Sequence, residues 1–230
     1  MMPSHGGISG TTWALVPVKP LAQAKSRLVP ALSGPQRTGL LRAMLADVLS
    51  VLLRAESLAG IAVITADTEL AALAHGFGAV LIAEPQASGL NVAVAAGVAE
   101  LRRRGVARVL VLPADIPLLR AAEVDNIVRA GTHEQRTLVV ASHNLDGTNG
   151  LLVHLDDPPD FAFGPGSFQR HLRFSRGREA ARMLAPSFEL DIDTPGDLAV
   201  LLTRLPTSPP GAAHTAAWAA TYRQALTQEA

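Results

Sequence analysis

Three carboxylates have types and positions suited to chemistry. Asp115 follows the apolar run Val109–Leu112 and Pro113, and Asp191 and Asp193 form an acid–x–acid pair far along the chain. Four apolar residues are too few for a helix and suit a strand covered on both faces. Pro113 and Pro117 keep that strand from running on, which leaves Asp115 at its carboxyl tip. Open α/β sheets bind ligands at that edge. Residues two apart on a strand point the same way, so Asp191 and Asp193 face one point. Three acids at strand ends suit a hard divalent cation, and magnesium holding a nucleotide triphosphate is the natural use. Helix capping competes with this reading, at Asp115 ahead of Ala121 and at Asp193-Thr194-Pro195. The pairing of two distant acidic stretches favours the metal.

A basic loop gives the second signal. Lys19, Lys25 and Arg27 come straight off the carboxyl end of the first strand, where they would neutralise triphosphate oxygens, Arg as a fork and Lys as a point charge. Pro17 and Pro20 stiffen its base. The alternative is a solvated loop. No G-x-x-x-x-G-K-[ST] is present and no strand leads into G-x-G-x-x-G, so neither a Walker loop nor a dinucleotide fold is read.

Two turns suit a second, smaller anion. Gly166-Ser167 at a helix start offers backbone N–H groups and a hydroxyl, and Asp146-Gly147-Thr148-Asn149 offers an amide and another hydroxyl. A plain N-cap and a hairpin turn explain them equally well. The run Arg170, His171, Arg173, Arg176 and Arg178 is a candidate to reinforce a phosphate pocket, with a solvated helix face the commoner reading, and the seven histidines show no ligand spacing. Asp67, Glu84 and Asn91 close other strand ends and are candidates to read a purine base.

These residues need a scaffold. Strands are expected at Trp13–Val18, Ile61–Thr65, Ala79–Ile82, Val109–Leu112, Leu138–Ser142, Gly150–His154 and Phe188–Ile192. Helices are expected at Gln36–Ala55, Thr68–His75, Val92–Arg104, Ala121–Ala130, from Phe168 through Phe174, and at Pro195–Leu205. In Gln36–Ala55, Leu40, Leu41, Met44, Leu45, Val48, Leu49, Leu52 and Leu53 recur at helical spacing and mark a core stripe. The alternation implies an α/β fold with a mostly parallel sheet and right-handed crossovers. The two strands after residue 137, joined only by a turn, imply an antiparallel or mixed edge.

Of the 230 residues, 48% are hydrophobic, and 20 basic residues balance 20 acidic ones. That length fits a single domain, expected at 13–205, with a flexible lead at 1–12 and a tail at 206–230 that adds a loosely docked helix. The balanced charge gives no argument for nucleic acid. No apolar run is long enough for a membrane span and no secretory pattern opens the chain, so a cytoplasmic protein is expected. The chain has no cysteine, which excludes disulfides and thiolate chemistry.

Taken in order, PVKPLAQAKSRL, GLNVAV, LPADIPLL, DGTNGLL, FGPGSF and DIDTPGDL resemble the 2-phospho-L-lactate guanylyltransferase family of coenzyme F-420 biosynthesis, over about Trp13 to Leu202. The resemblance implies a single-domain nucleotide-diphospho-sugar transferase (glycosyltransferase-A-like) fold. It implies magnesium on Asp115, Asp191 and Asp193, the acceptor's phosphate and carboxylate end on Thr148, Gly164 and Ser167, and Lys25 near the reacting centre. The implied reaction transfers GMP from GTP to the phosphate of phosphoenolpyruvate, 3-phospho-D-glycerate or 2-phospho-L-lactate, releasing pyrophosphate. A phosphate monoester is already anionic, so no nucleophilic side chain is needed. Catalysis is expected from positioning and charge neutralisation by magnesium, Lys19, Lys25 and Arg27. Further expected partners are a downstream transferase receiving the labile product and a second copy in a homodimer. The competing readings are a nucleotidyltransferase for a sugar phosphate or molybdopterin, and a non-catalytic nucleotide-binding module.

Overall fold

The computed structural model describes residues 11–21, 25–85, 89–134, 136–173, 179–205 and 211–228. The lead at 1–10, most of the Pro/Ser/Thr-rich stretch after Leu205, Phe174, Arg176 and Arg178 lie outside them.

Seven strands form one sheet: β1 (Thr12–Pro17), β2 (Gly60–Thr65), β3 (Val80–Ala83), β4 (Arg108–Val111), β5 (Thr137–Ala141), β6 (Thr148–His154) and β7 (Ala180–Arg182). Their order is β3-β2-β1-β4-β6-β5-β7. All neighbours are parallel except those of β6, which runs against both β4 and β5. The α/β, mostly parallel architecture expected from the sequence is the one found.

Two details differ. The β5–β6 hairpin does give the sheet a mixed end, but within it β6 lies inward between β4 and β5, and the short β7, unforeseen, forms the edge strand. All seven β6 residues are buried, which suits an interior strand better than a rim. Phe188–Ile192 makes no ladder. It follows a 3-10 turn at Pro186–Phe188, and isolated bonds take up its backbone groups, among them His143 N–H to the Glu189 carbonyl at 2.9 Å and Ile192 N–H to the Asp115 carbonyl at 3.1 Å.

Helices cover both faces. On one lie α1 (Gly34–Arg54), α2 (Thr68–Gly76), α4 (Ala121–Glu134), α6 (Pro195–Arg204) and α7 (Ala213–Gln228); on the other lie α3 (Leu90–Arg103) and α5 (Ser167–Arg173). α1 opens with a capping box in which Ser33 and Gln36 satisfy each other's backbone N–H groups. Its leucine stripe is buried as expected, apart from Leu53, which is 57% exposed. α7 packs on α1 through the buried Asp47, which accepts from the N–H groups of His214 at 2.9 Å and Thr215 at 2.8 Å. No described helix is long and apolar enough to cross a membrane.

Candidate active site

In the order β3-β2-β1-β4 the chain leaves β1 in both directions, so the loops after β1 and β4 part and open a crevice between them. A cavity of about 570 Å³ lies there, lined by Lys19, Lys25 and Arg27 from the first loop and Asp115 from the second. Asp191 and Asp193 reach it from the segment before α6, and Thr148, Gly164 and Ser167 from the opposite side.

Lys25 is the centre of the acidic end. Its Nζ bonds Asp115 Oδ2 and, at 3.0 Å, Asp193 Oδ1, and its side chain is 5% exposed. Its backbone is left-handed at φ 57°, uncommon for a residue with a Cβ and the kind of local strain that gathers at functional sites. The 3-10 turn Ser26–Leu28 follows, and the fully buried Leu28 anchors it. Burial alone would lower the Lys25 pKa, but Asp115 and Asp193 outweigh it and hold it above its ordinary value. Asp193 moves the other way: burial raises its carboxyl, and Lys25, Arg27 and Lys19 together bring it below the usual range. Asp191 is raised by burial, then by Asp115 and Asp193, against a hydrogen bond from Asn149 Nδ2 at 3.0 Å and a backbone hydrogen bond.

Among the described residues no three of His, Cys, Asp and Glu form a ready-made metal cage. The Lys25 ammonium joins Asp115 to Asp193. The donor set still fits a hard cation. Asp115 Oδ1 is buried with no hydrogen-bond partner, and Asp191, pushed up by burial and then by Asp115, meets the His143 imidazole only at the long distance of 4.0 Å.

At the other end, the amides of Gly147, Gly166 and Ser167 are already bonded within the chain. Gly166 N–H donates to Asp146 Oδ1 at 3.0 Å, Ser167 N–H to the Gly164 carbonyl at 3.0 Å, and Gly147 N–H to Ser142 Oγ at 2.9 Å. The backbone cradles expected at Gly166-Ser167 and Gly147 are therefore committed internally. Ser167 Oγ is buried without a partner, and Thr148 Oγ1 meets His171 Nδ1 at 2.9 Å.

The remaining candidates separate. Lys19 and Arg27 are exposed at the cavity mouth, in reach of a large polyanion. Neither Asp67 nor Glu84 lines the cavity. Asp67 caps α2 through Glu69 and Leu70 N–H, and its other oxygen holds Leu21 N–H at 2.9 Å. Asn91 grips both backbone groups of Phe163, accepting at 2.7 Å and donating at 3.2 Å, and so fixes the loop that carries Gly164.

Two residues stand differently from their reading in the sequence. His171 is no solvated helix residue; it is 3% exposed, and Arg170 beside it turns back to the Ala162 carbonyl at 2.9 Å. Asn149 is no turn residue. Val140 pairs with Gly150 and Ala141 with Thr148, so Asn149 is the extra residue of a β-bulge. The bulge sends Asn149 toward Phe188 and Asp191 and Thr148 toward His171. The Asn-Gly step was the available signal, since glycine beside an extra residue marks bulges as well as turns.

A family model described as "Guanylyl transferase CofC like" matches residues 12–204. The chain is similar to the phosphoenolpyruvate guanylyltransferase of Conexibacter woesei, at 36% identity over 208 residues covering 89% of this chain and 93% of that protein. It is similar to the one from Thermomonospora curvata at 38% over 215 residues, covering 87% and 93%. Among solved structures, a Methanothermobacter nucleotidyl transferase superposes with a TM-score of 0.60 at 16% identity, covering 86% of this chain and 99% of that one. A Leptospira borgpetersenii cytidylyltransferase gives 0.59 at 11%, covering 94% and 95%. At such identities these two structures speak for the fold.

Proposed function

We propose, for a chain that belongs to the CofC-like guanylyl transferase family, transfer of GMP from GTP to the phosphate of phosphoenolpyruvate. The chain is a nucleotidyltransferase, with a nucleotide and a small phosphorylated acid as substrates. The choice of phosphoenolpyruvate over 3-phospho-D-glycerate or 2-phospho-L-lactate is supported by the names of its relatives.

One observation carries the reading. A single cavity has an acid-and-lysine end at Asp115, Asp193 and Lys25 and a hydroxyl end at Thr148 and Ser167. Lys19 and Arg27 at the mouth would hold the triphosphate, and the hydroxyl end would hold the phospho-acid. An oxygen of the acceptor's phosphate attacks the α-phosphorus, the bond to the β-phosphate oxygen breaks, and pyrophosphate leaves. The attacking oxygen is already an anion, so this chain's residues orient the two substrates and offset their charge rather than move a proton. Magnesium is proposed on Asp115, Asp191 and Asp193, where it would neutralise triphosphate oxygens. A transferase consuming the labile diphosphate ester, cytoplasmic operation and a homodimer complete the proposal.

The test is mass spectrometry of products from GTP with each of the three acids and with a hexose phosphate. The guanosine diphosphate ester of enolpyruvate is the expected product. A product formed only with the sugar phosphate, or none with any acceptor, overturns it.

A further inference from the structure

His171 lies behind the hydroxyl end and does not line the cavity. Three contacts hold its ring. Nε2 accepts from the Ala162 N–H at 3.1 Å, Nδ1 meets Thr148 Oγ1 at 2.9 Å, and Phe163 packs on it in a T-shaped contact with centroids 4.8 Å apart. A backbone N–H can only donate, so Nε2 must present its lone pair. Burial first, and the nearby Arg170 second, lower the imidazole pKa to about 4, so the ring is neutral at physiological pH. A neutral ring whose Nε2 is bare carries its proton on Nδ1. That proton points at Thr148 Oγ1.

We infer that His171 is a positioning residue that compels the Thr148 hydroxyl to act as a hydrogen-bond donor to the acceptor substrate. Thr148 Oγ1 accepts from His171, so its own hydrogen is directed elsewhere, and Thr148 lines the cavity. Ser167 Oγ, buried and without a partner, lies on the same wall. The wall therefore offers donors, which suits carboxylate or phosphate oxygens and disfavours a substrate bringing its own N–H or O–H to that point. The inference rests on the reading of this end as the acceptor site, and it adds which residue sets the polarity of that site.

Two substitutions separate the ring's two bonds. His171→Gln keeps an oxygen near the Nε2 position for Ala162 but places no donor at Nδ1. His171→Asn keeps an amide donor near the Nδ1 position but loses Ala162. The expected result is a rise of about tenfold in KM for phosphoenolpyruvate in His171→Gln with KM for GTP unchanged, the scale of one lost bond in a chain ending on a charged group. His171→Asn should restore most of that KM. In a Thr148→Val background, His171→Gln should add nothing further. Equal losses in the Gln and Asn variants, or a KM for GTP that rises in step, would reduce His171 to packing and overturn the inference. Nitrogen-15 NMR of the imidazole in substrate-free protein gives a separate decision. The Nδ1–H form is expected and the Nε2–H form overturns the inference, whichever acceptor the enzyme proves to use.

Discussion

Lys25 Nζ donates to Asp193 Oδ1 at 3.0 Å although 168 residues separate them, and the same ammonium bonds Asp115. One buried cation thus ties the loop after β1 to the ends of two distant segments. Its partners differ in setting: the Asp193 side chain is 46% exposed and that of Asp115 is 19% exposed.

Lys25→Met should leave Asp115 without its ammonium partner and Asp193 to the weaker influence of Arg27 and Lys19. The unfolding free energy at neutral pH is expected to fall by about 2–3 kcal/mol, the low side for a broken buried pair because Asp193 is well hydrated. Urea denaturation measures this, and pyrophosphate release should disappear in the same variant.

Asp193→Ala should abolish GTP turnover while the protein stays folded, since water already reaches that carboxylate. Circular dichroism with a pyrophosphate assay checks both halves. Undiminished turnover would remove Asp193 from the proposed magnesium set.

Ser167→Ala should raise KM for the phospho-acid by more than KM for GTP. Its hydroxyl is fully buried and unpaired on the acceptor wall. Equal effects on the two substrates would dissolve the division of the cavity into two ends.

Asp47→Ala should cost about 1–2 kcal/mol, the scale of a lost N-cap, because Asp47 takes up the His214 and Thr215 N–H groups at the start of α7. Turnover per folded molecule should not change. A thermal shift assay sees the loss, and a melting temperature equal to wild type would mean that α7 is held by other contacts.

His171 also predicts a slope of stability with pH. Its ordinary pKa of 6.5 is lowered to about 4 in the fold by burial, then by Arg170. Between those values the unfolded chain binds a proton that the folded one refuses, so this contribution is complete above 6.5 and is lost as pH falls toward 4. The stability advantage of wild type over His171→Gln should shrink across that window by on the order of 2–3 kcal/mol. An advantage that is constant with pH would show that the ring takes up its proton in the fold as readily as in the unfolded chain.

The sequence exposed what depends on local pattern. The apolar run at Val109–Leu112, the leucine periodicity of α1 and the Asp-Thr-Pro start of α6 each gave element and type, because burial and capping act over a few residues. Strand-end logic accounts for Asp115 and Lys25 in the cavity, whereas Asp191 and Asp193 reach it from a segment that is not a strand, so the strand-based reason for their placing fails although the residues do line the cavity. Other features depend on partners remote in sequence. Phe188–Ile192 reads as a strand until Asn149 and His143 are seen to take its carbonyls. His171 reads as part of a basic face until Phe163 and Thr148 are seen to enclose it. Asp67 reads as a ligand for a base until its cap and Leu21 use both of its oxygens.

The bulge at Asn149 has a consequence for how this chain can change over time. Surface turns usually tolerate gain or loss of a residue, but the 143–147 turn feeds a strand whose phase is reset by one extra position. Deleting a single residue there would exchange the faces of Thr148 and Asn149, stranding the hydroxyl beside Phe188 and the amide beside His171. Length in this turn is therefore as constrained as identity, and drift should be confined to substitution.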